Sequence, residues 1–377
     1  MPLYKNKKPE VELGPRQGAK RETVCFFEHQ LKGEEALTLR TAKRLFDLAN
    51  ETCVRKPWGI MGDTDLVLVK DPQSQEMCYS SVMGALGQVF AVHAYCGMES
   101  YRLFKRLASG APLTAGEFFG TQRSVTMEFL PSGMLPGPDR ELARVLGHPL
   151  KRGTLAPQFR AGRPGYQPWY PTEAEGKVLA LCVESVLAFS EDLEHKPEAG
   201  YWNVEDVYPE VFWKKDGYFR VENTLVQVTP PPLPELPKLD EVRLAKLSKG
   251  DYPVKGIVEV DEFYSAASVG GKNERKACVR MVMAADAEIR CLYMVHAFEP
   301  TRSVGEVLME AVLQTVEKGR FVPAEVRVND ESKRVLLSLL RERLGFELRA
   351  VSELPSLESA KRELLQTLGD PGPISSD

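Results

Sequence analysis

The chain has 377 residues, of which 43% are hydrophobic and 27% charged, and its formal net charge is −4 at pH 7. This length exceeds one ordinary hydrophobic core and favours two domains of a globular protein. The longest apolar runs, 178–188 and 307–316, contain Glu184 and Glu310, so they fall short of the about 20 apolar residues that a membrane span requires. The acidic balance weighs against tight nucleic-acid binding, because such binding draws most of its affinity from Lys and Arg, but it does not exclude nucleic acid as a partner.

The cysteines and the first residues indicate the compartment. Seven cysteines are scattered along the chain without a Cys-x-x-Cys pair, which argues against a zinc site or a disulfide framework and favours buried thiols in a reducing cytosol. Residues 1–20 are basic but lack the apolar core of a secretory signal. We therefore predict a flexible basic tail over 1–20 and a cytoplasmic protein.

Region 21–228 mixes helical and strand periodicity, which predicts an α+β N-terminal domain. Three short apolar runs joined by tight connections predict an antiparallel meander. The predicted elements in chain order are a helix over 33–50, strands at 65–70, 76–83 and 88–95, a helix over 99–108 and a strand at 124–130.

Capping residues and a turn signal define the rest of this domain. Asp139 is predicted as the N-cap of a short helix that ends at Leu146. Thr172 and Glu175 have the spacing of a capping box and predict a helix to about residue 193. The dipeptide at 216–217, Asp-Gly, predicts a hairpin turn within 211–228.

Proline-rich residues 229–238 support neither helix nor central strand, so they predict a linker between two domains. Beyond it, residues 239–368 predict an α/β C-terminal domain with a mixed sheet, because strands that alternate with helices pair in parallel through crossover connections. After a short helix at 239–247, its elements follow the order β-β-β-α-β-α-β-α. They are strands at 256–264, 277–286 and 291–298, a helix at 301–318 ended by Gly319, a strand at 323–330, a helix at 332–344, a strand at 347–351 and a helix at 356–368. Residues 369–377 are predicted to be disordered.

Two resemblances accompany these patterns. The element order of the C-terminal half resembles that of ribonuclease-H-like folds. The motifs Met61-Gly-Asp-Thr-Asp-Leu, Ser81-Val-Met-Gly-Ala-Leu-Gly and Phe159-Arg-Ala-Gly-Arg-Pro-Gly-Tyr-Gln-Pro-Trp are similar to the N-terminal half of an uncharacterised two-domain bacterial family, and Val328-Asn-Asp with Leu354-Pro-Ser-Leu to its C-terminal half. This family implies no assigned activity.

Three acids, Asp261, Asp330 and Glu358, stand where a ribonuclease-H-like fold places its carboxylates: in the first strand, after the fourth strand and on a late helix. In the catalytic interpretation they hold two Mg²⁺ or Mn²⁺ ions over a phosphodiester. In the structural interpretation, which we favour, Asp261 and Asp330 end strands or cap a helix, and Glu358 favours a helix dipole. That interpretation needs no cofactor.

Two other groups are candidate binding residues. Asp63 and Asp65 could bind a cation or a basic group, although solvated acids at a strand entry are commoner. Arg160, Arg163, Tyr166 and Trp169 could present guanidinium and aromatic surface to a partner. We favour a loop strapped over the core for this segment, because aromatic residues in proline-rich connectors more often pack than bind.

These observations predict a non-catalytic binding or regulatory protein of the bacterial cytosol, with a protein as a possible partner. Neither a phosphate-binding glycine loop nor a serine or cysteine nucleophile motif is present in the sequence. The alternative is a divalent-metal-dependent nuclease or nucleotidyl-transfer enzyme, so whether the protein is an enzyme is left open.

Overall fold

The computed structural model describes residues 35–148, 150–196, 200–230, 234–271, 274–299, 302–367 and 373–374. The predicted tail over 1–20 lies outside these ranges, and so does the predicted tail over 369–377 except for residues 373–374. Within the described ranges, none of the helices has the length and apolar character needed to span a bilayer.

The N-terminal half contains five helices and nine strands among its described residues. They are α1 (Leu39–Arg55), β1 (Val67–Lys70), β2 (Met77–Met83), β3 (Phe90–Cys96), α2 (Gly97–Ala108), β4 (Leu113–Thr114), α3 (Ala115–Thr121), β5 (Ser124–Pro131), α4 (Gly137–Val145), β6 (Leu155–Arg163), β7 (Tyr166–Trp169), α5 (Glu173–His195), β8 (Val207–Trp213) and β9 (Phe219–Leu225).

The C-terminal half contributes five further helices and six strands to the described part of the chain. They are α6 (Glu241–Lys249), β10 (Ile257–Val269), β11 (Ala277–Asp286), β12 (Leu292–Phe298), α7 (Val304–Gly319), β13 (Glu325–Val328), α8 (Glu331–Leu336), α9 (Ser338–Leu344), β14 (Glu347–Ala350), α10 (Pro355–Thr367) and β15 (Pro373–Ile374).

One mixed sheet of thirteen strands runs through both halves in the order β14-β13-β10-β11-β7-β6-β5-β3-β2-β1-β8-β9, and β12 pairs with β11 beside this path. The halves meet where Ala277 of β11 pairs with Tyr166 of β7. The Gln167 amide donates to the carbonyl of Lys276 at 2.9 Å, and the Cys278 amide donates to that of Gly165 at 2.8 Å. The architecture is therefore mixed α/β, with a sheet larger than the five strands predicted for the C-terminal half.

Several local predictions for the N-terminal half are confirmed. Strands β1, β2 and β3 form an antiparallel meander. The hydroxyl of Thr172 and the carboxylate of Glu175 form the capping box of α5. Strands β8 and β9 form the predicted hairpin.

Two predictions for this half are wrong. Asp139 lies inside the first turn of α4, whose N-cap is Pro136, because its carboxylate is bound to Arg160. The segment predicted as a strap forms strands β6 and β7, because Gly165, with φ +81°, supplies a tight turn between them and β6 pairs with β5 along eight residues. Helix α3, which was not predicted, precedes β5.

In the C-terminal half the strand order is β12-β11-β10-β13-β14. Strands β10, β11 and β12 are antiparallel neighbours, whereas β13 is parallel to β10 and β14 is parallel to β13. The predicted helix over 332–344 is divided at Leu337 into α8 and α9. Helix α7 is ended by Arg320 in the left-handed conformation, after the predicted cap Gly319.

Strand alternation gives β10 two different faces, because successive side chains of a strand point to opposite sides. Val258 and Val260 belong to the apolar core shared with α7. Phe263 belongs to a second core that contains Met283 and the α10 residue Leu357. The odd-numbered face of β10, which also carries Asp261, is therefore the one that α10 covers.

Candidate functional site

Asp261 lies in the middle of β10, and its residue surface is only 6% exposed. A carboxylate at this depth requires a partner, because burying an isolated charge costs several kcal/mol. Lys333 of α8 is that partner: its ammonium donates a hydrogen bond to an Asp261 carboxylate oxygen. The first of the three predicted acids is thus neutralised by a cation of the chain itself.

Lys333 also contacts the residues that follow β13. Its ammonium donates to the side-chain oxygen of Asn329 at 2.9 Å and lies 3.7 Å from a carboxylate oxygen of Asp330. Burial acts to lower the pKa of Lys333, but the nearby carboxylates of Asp261 and Glu262 outweigh it and raise that pKa above its ordinary value. The contacts with these carboxylates therefore favour the ammonium form of Lys333.

Asp330 is the N-cap of α8. Its carboxylate accepts a hydrogen bond from the Lys333 amide at 2.9 Å and another from the hydroxyl of Ser332. Burial acts to raise the pKa of Asp330, but these two hydrogen bonds and the Lys333 ammonium outweigh it and lower that pKa. The capping role proposed for Asp330 is the one seen here, whereas Asp261, which was expected to end a strand, lies inside β10.

Glu358 lies in the first turn of α10 and is exposed. Glu259 of β10 binds the start of this helix: its carboxylate accepts hydrogen bonds from the amides of Ser356 at 2.9 Å and Leu357 at 3.0 Å. Burial raises the pKa of Glu259 although both amides favour its charged form. A buried acid on the same strand as Asp261 thus positions the helix that carries Glu358.

Asp261, Asn329 and Glu358 line one cavity of about 580 Å³. Thr114 and Glu117, at the start of α3, line the same cavity, so both halves of the chain contribute to it. Asp330 and Lys333 line an adjoining cavity of about 690 Å³. Cavities of this size are typical of small-molecule sites, and their position between the halves makes them the candidate functional site.

Helix α3 reaches this position because it carries glycine at two positions four residues apart. A Cβ atom added at Gly116 would lie 1.7 Å from the carbonyl oxygen of Tyr264 on β10, and one at Gly120 would lie 2.4 Å from the Tyr264 ring. Residues four apart share one helix face. The two glycines therefore allow α3 to pack directly against the backbone and ring of β10.

The donor set does not suit a two-metal site. Among the residues that the structure describes, no three His, Cys, Asp or Glu side chains are grouped so that they could hold a metal ion. The Lys333 ammonium is bound to Asp261, and Asp330 caps α8. The predicted ligands Asp261, Asp330 and Glu358 are therefore neighbours around two cavities rather than an assembled cage.

Arg160 and Arg163, two of the predicted binding residues, make contacts within the chain. The guanidinium of Arg160 donates to both carboxylate oxygens of buried Asp139, at 2.9 and 2.8 Å, and lies 4.2 Å from the centre of the Tyr170 ring. Arg163 donates to Glu175. Their guanidinium groups therefore reinforce the N-terminal half, and recognition of an external partner by them stays a prediction.

Tyr166 and Trp169 lie on β7, at the joint between the halves. Tyr166 pairs with Ala277 of β11, and the Trp169 ring packs against Tyr170 with 5.2 Å between ring centres. The second strand of the predicted strap, β7, is thus the one through which the N-terminal half meets the C-terminal half. An external partner for these two residues likewise stays a prediction.

Arg275, which precedes β11, extends from the C-terminal half into the N-terminal half. Its side chain is 0% exposed and donates to the carbonyls of Ala161 at 3.1 Å and Tyr170 at 3.5 Å, and to Glu175 at 3.2 Å. Because Glu175 also closes the capping box of α5, one carboxylate links a helix start to the joint between the halves.

Asp63 and Asp65 lie in the turn before β1. A carboxylate oxygen of Asp65 accepts a hydrogen bond from the Gly62 amide at 2.7 Å, and the backbone carbonyl of Asp63 accepts one from the Ser81 hydroxyl at 2.6 Å. These contacts are typical of a turn. A cation-binding role for the two acids stays a prediction.

Sequence reasoning missed Lys333, Asn329 and the α3 residues of the site. One signal was present: in the helix predicted over 332–344, Lys333 stands in the first turn, where a positive charge opposes the helix dipole, so something else must hold it there. Asn329 immediately precedes Asp330, one of the three acids chosen from the sequence. The sequence contains no comparable signal for α3, whose contact with β10 is made across about 150 residues.

Two family models match the chain. Residues 43–207 match a domain of unknown function (DUF7309), and residues 243–365 match a second domain of unknown function (DUF6930). The proline-rich residues 229–238 lie between the two matched ranges. No curated protein matches the chain. The predicted resemblance to an uncharacterised two-domain family is confirmed.

Proposed function

We propose that this chain, which combines a DUF7309 domain with a DUF6930 domain, is a non-catalytic binding or regulatory protein. The proposal includes a ribonuclease-H-like architecture for the C-terminal domain. Its support is the pairing of the predicted elements: the consecutive strands β10, β11 and β12 are antiparallel neighbours, and β13 and β14, which alternate with helices, pair in parallel beyond β10. A location in the bacterial cytosol and a protein partner are further parts of the proposal.

The observation that carries the proposal is the Lys333 ammonium on Asp261. In the metal-dependent alternative, the central carboxylate must coordinate a cation supplied from solution. Here the chain supplies a fixed cation, the Lys333 ammonium, to that carboxylate. Because the pair is buried, moving this ammonium away from the carboxylate is costly. The acid on β10 therefore acts as one half of a structural ion pair, and the cavity beside it is left for binding.

Thermal melting with and without divalent cations tests this function. A metal that binds the folded state raises the melting temperature, so Mg²⁺ and Mn²⁺ are expected to leave that of the wild type unchanged. Nuclease assays with Mg²⁺ on single- and double-stranded DNA and RNA are expected to show equal inactivity of the wild type and Asp261→Asn. Asp251→Asn, the same change at an exposed acid outside the cavities, is the matched control.

The opposite result would overturn the proposal. It consists of a melting temperature that Mn²⁺ raises in the wild type and in Asp251→Asn but not in Asp261→Asn, together with Mg²⁺-dependent cleavage that Asp261→Asn abolishes. That outcome would favour the second candidate function, a divalent-metal nuclease or nucleotidyl-transfer enzyme. One observation favours this candidate: Asp261 and Glu358 line the same cavity.

A further inference from the structure

We propose that the cavity between α3 and α10 binds a small amphipathic anion, a molecule with an apolar body and one carboxylate or sulfonate group. This inference rests on the proposed binding function and names the ligand class for the same site. It follows from the apolar floor of the cavity, from the pairing of its acids and from the cations on its rim.

The floor of the cavity is apolar and belongs to one packed core. Phe263, Met283, Leu354 and Leu357 line it, and each is at most 5% exposed. These side chains come from β10, β11 and the start of α10, so the floor is fixed by the sheet. Apolar area removed from water contributes roughly 25 cal/mol per Å², and a ligand body of hydrocarbon or aromatic character gains this term when it enters.

The acids of the cavity already have partners. Asp261 is bound to the Lys333 ammonium. Glu117 accepts from the amide and hydroxyl of Thr114 at 2.8 and 3.0 Å, and it lies 3.6 Å from the guanidinium of Arg106. A cationic ligand would have to compete with these internal partners, so the two carboxylates give it little net attraction.

Two cations on the rim of the cavity, in contrast, lack ion-pair partners among the described residues. Lys361 and Arg362 of α10 line the cavity, and neither forms an ion pair within the described part of the chain. The Lys361 ammonium lies 4.6 Å from the centre of the Phe263 ring, directly over the apolar floor. Of the described acids that line the cavity, only Glu358 lacks such a partner and opposes these two cations, so the rim favours an anionic group above an apolar body.

Two fluorescent probes with the same kind of aromatic body separate charge from hydrophobicity. Anilinonaphthalene sulfonate is an anion, and phenylnaphthylamine is its uncharged counterpart. We expect the wild type to bind the sulfonate more tightly than the neutral probe. Lys361→Gln with Arg362→Gln is expected to weaken sulfonate binding about fivefold, the size expected for two solvent-exposed charge contacts, and to leave binding of the neutral probe unchanged.

Lys214→Gln with Lys215→Gln is the matched control, because it removes two exposed lysines in the turn between β8 and β9, away from the cavity. Its probe affinities are expected to equal those of the wild type. Leu365→Trp, which places a larger side chain at the cavity lining, is expected to weaken binding of both probes. Melting curves of every variant show whether each is folded.

The proposal is overturned if the wild type binds both probes equally, or if the variant at 361 and 362 binds the sulfonate as tightly as the wild type does. These measurements contain no divalent metal. A melting response to Mn²⁺ together with Mg²⁺-dependent cleavage would therefore overturn the non-catalytic function, while the probe comparison would still decide the ligand class.

Discussion

The Lys333 ammonium donates a hydrogen bond to the carboxylate of Asp261, joining a helix start to the middle of β10 across 72 residues of sequence. Both side chains are largely shielded, with 11% and 9% of their surfaces exposed. In such surroundings the ion pair stabilises the fold only when both members are present, because removal of one leaves the other charged and buried. The contact fixes the position of α8 relative to the cavity floor.

Substitution of one member should therefore cost much more than substitution of both. Lys333→Met is expected to lower the free energy of unfolding by about 3–5 kcal/mol, whereas Asp261→Asn combined with Lys333→Met should recover most of this loss. Urea unfolding of the two single variants and the double variant gives the coupling energy. Arg334→Met, which breaks an exposed pair with Glu331 on the same helix, should cost no more than about 1 kcal/mol. Additive single and double losses would contradict the interpretation.

The element order of the C-terminal half was predictable because it depends on local signals. Apolar periodicity identified β10 to β14. In the N-terminal half, the spacing of Thr172 and Glu175 likewise identified the start of α5. These patterns are contained in windows of a few residues, within which backbone preferences and side-chain burial act together.

The arrangement of the site was only partly predictable, because its contacts are distant in sequence. Asp261 and Glu358 were identified by position along the elements, and both line the cavity. The partner of Asp261 depends on how α8 is oriented, and this orientation is set by the cap at Asp330 rather than by any pattern around Asp261. The joint of β7 with β11 and the contact of α3 with Tyr264 likewise follow from tertiary packing.

Buried His93 should make stability depend on pH. Its ring nitrogens lie 2.8 Å from the hydroxyl of Thr126 and 3.1 Å from the amide nitrogen of Gln122, and burial lowers its pKa to about 4 from 6.5. Because the folded state disfavours the protonated ring, the stabilisation is complete above pH 6.5 and is lost as the pH falls towards 4. The difference in pKa corresponds to about 3 kcal/mol.

The pH dependence is checked by comparing urea unfolding of the wild type and His93→Gln between pH 7 and pH 4. The variant should lose less stability over this interval, because one group that is protonated on unfolding has been removed. His296→Gln, at an exposed histidine, should follow the wild-type curve. Parallel curves for the wild type and His93→Gln would contradict the assignment.

A methyl group at Gly116 should disrupt the contact between α3 and β10. The added Cβ would lie 1.7 Å from the carbonyl oxygen of Tyr264, so the helix must move. Gly116→Ala is therefore expected to lower the free energy of unfolding by about 1–3 kcal/mol, although alanine is the better helix former. Gly137→Ala in α4, where a Cβ meets nothing within 4 Å, should be neutral or slightly stabilising. Equal unfolding midpoints for the two variants would show that α3 is not closely packed.

Arg275 should couple the unfolding of the two halves. Its fully buried guanidinium from the C-terminal half donates to Glu175 and to two carbonyls of the N-terminal half. Arg275→Met leaves these acceptors without the cation and is expected to cost about 3–5 kcal/mol. Burial acts to raise the pKa of Glu175, but Arg163 and Arg275 outweigh it and hold that pKa below 4.5. The contribution of this ion pair is therefore present above pH 4.5 and lost as the pH falls through the folded-state pKa.

Two spectroscopic probes can follow the halves separately, because all four tryptophans, Trp58, Trp169, Trp202 and Trp213, precede the proline-rich segment. Tryptophan fluorescence thus reports on the N-terminal half, whereas far-ultraviolet circular dichroism reports on both. In the wild type the two urea curves should coincide, as they do when unfolding is cooperative, and in Arg275→Met they should separate. Lys276→Met, at the exposed neighbour, should keep the coincident curves. Coincident curves with an unchanged midpoint in Arg275→Met would mean that β7, β11 and α3 hold the halves together without the buried arginine.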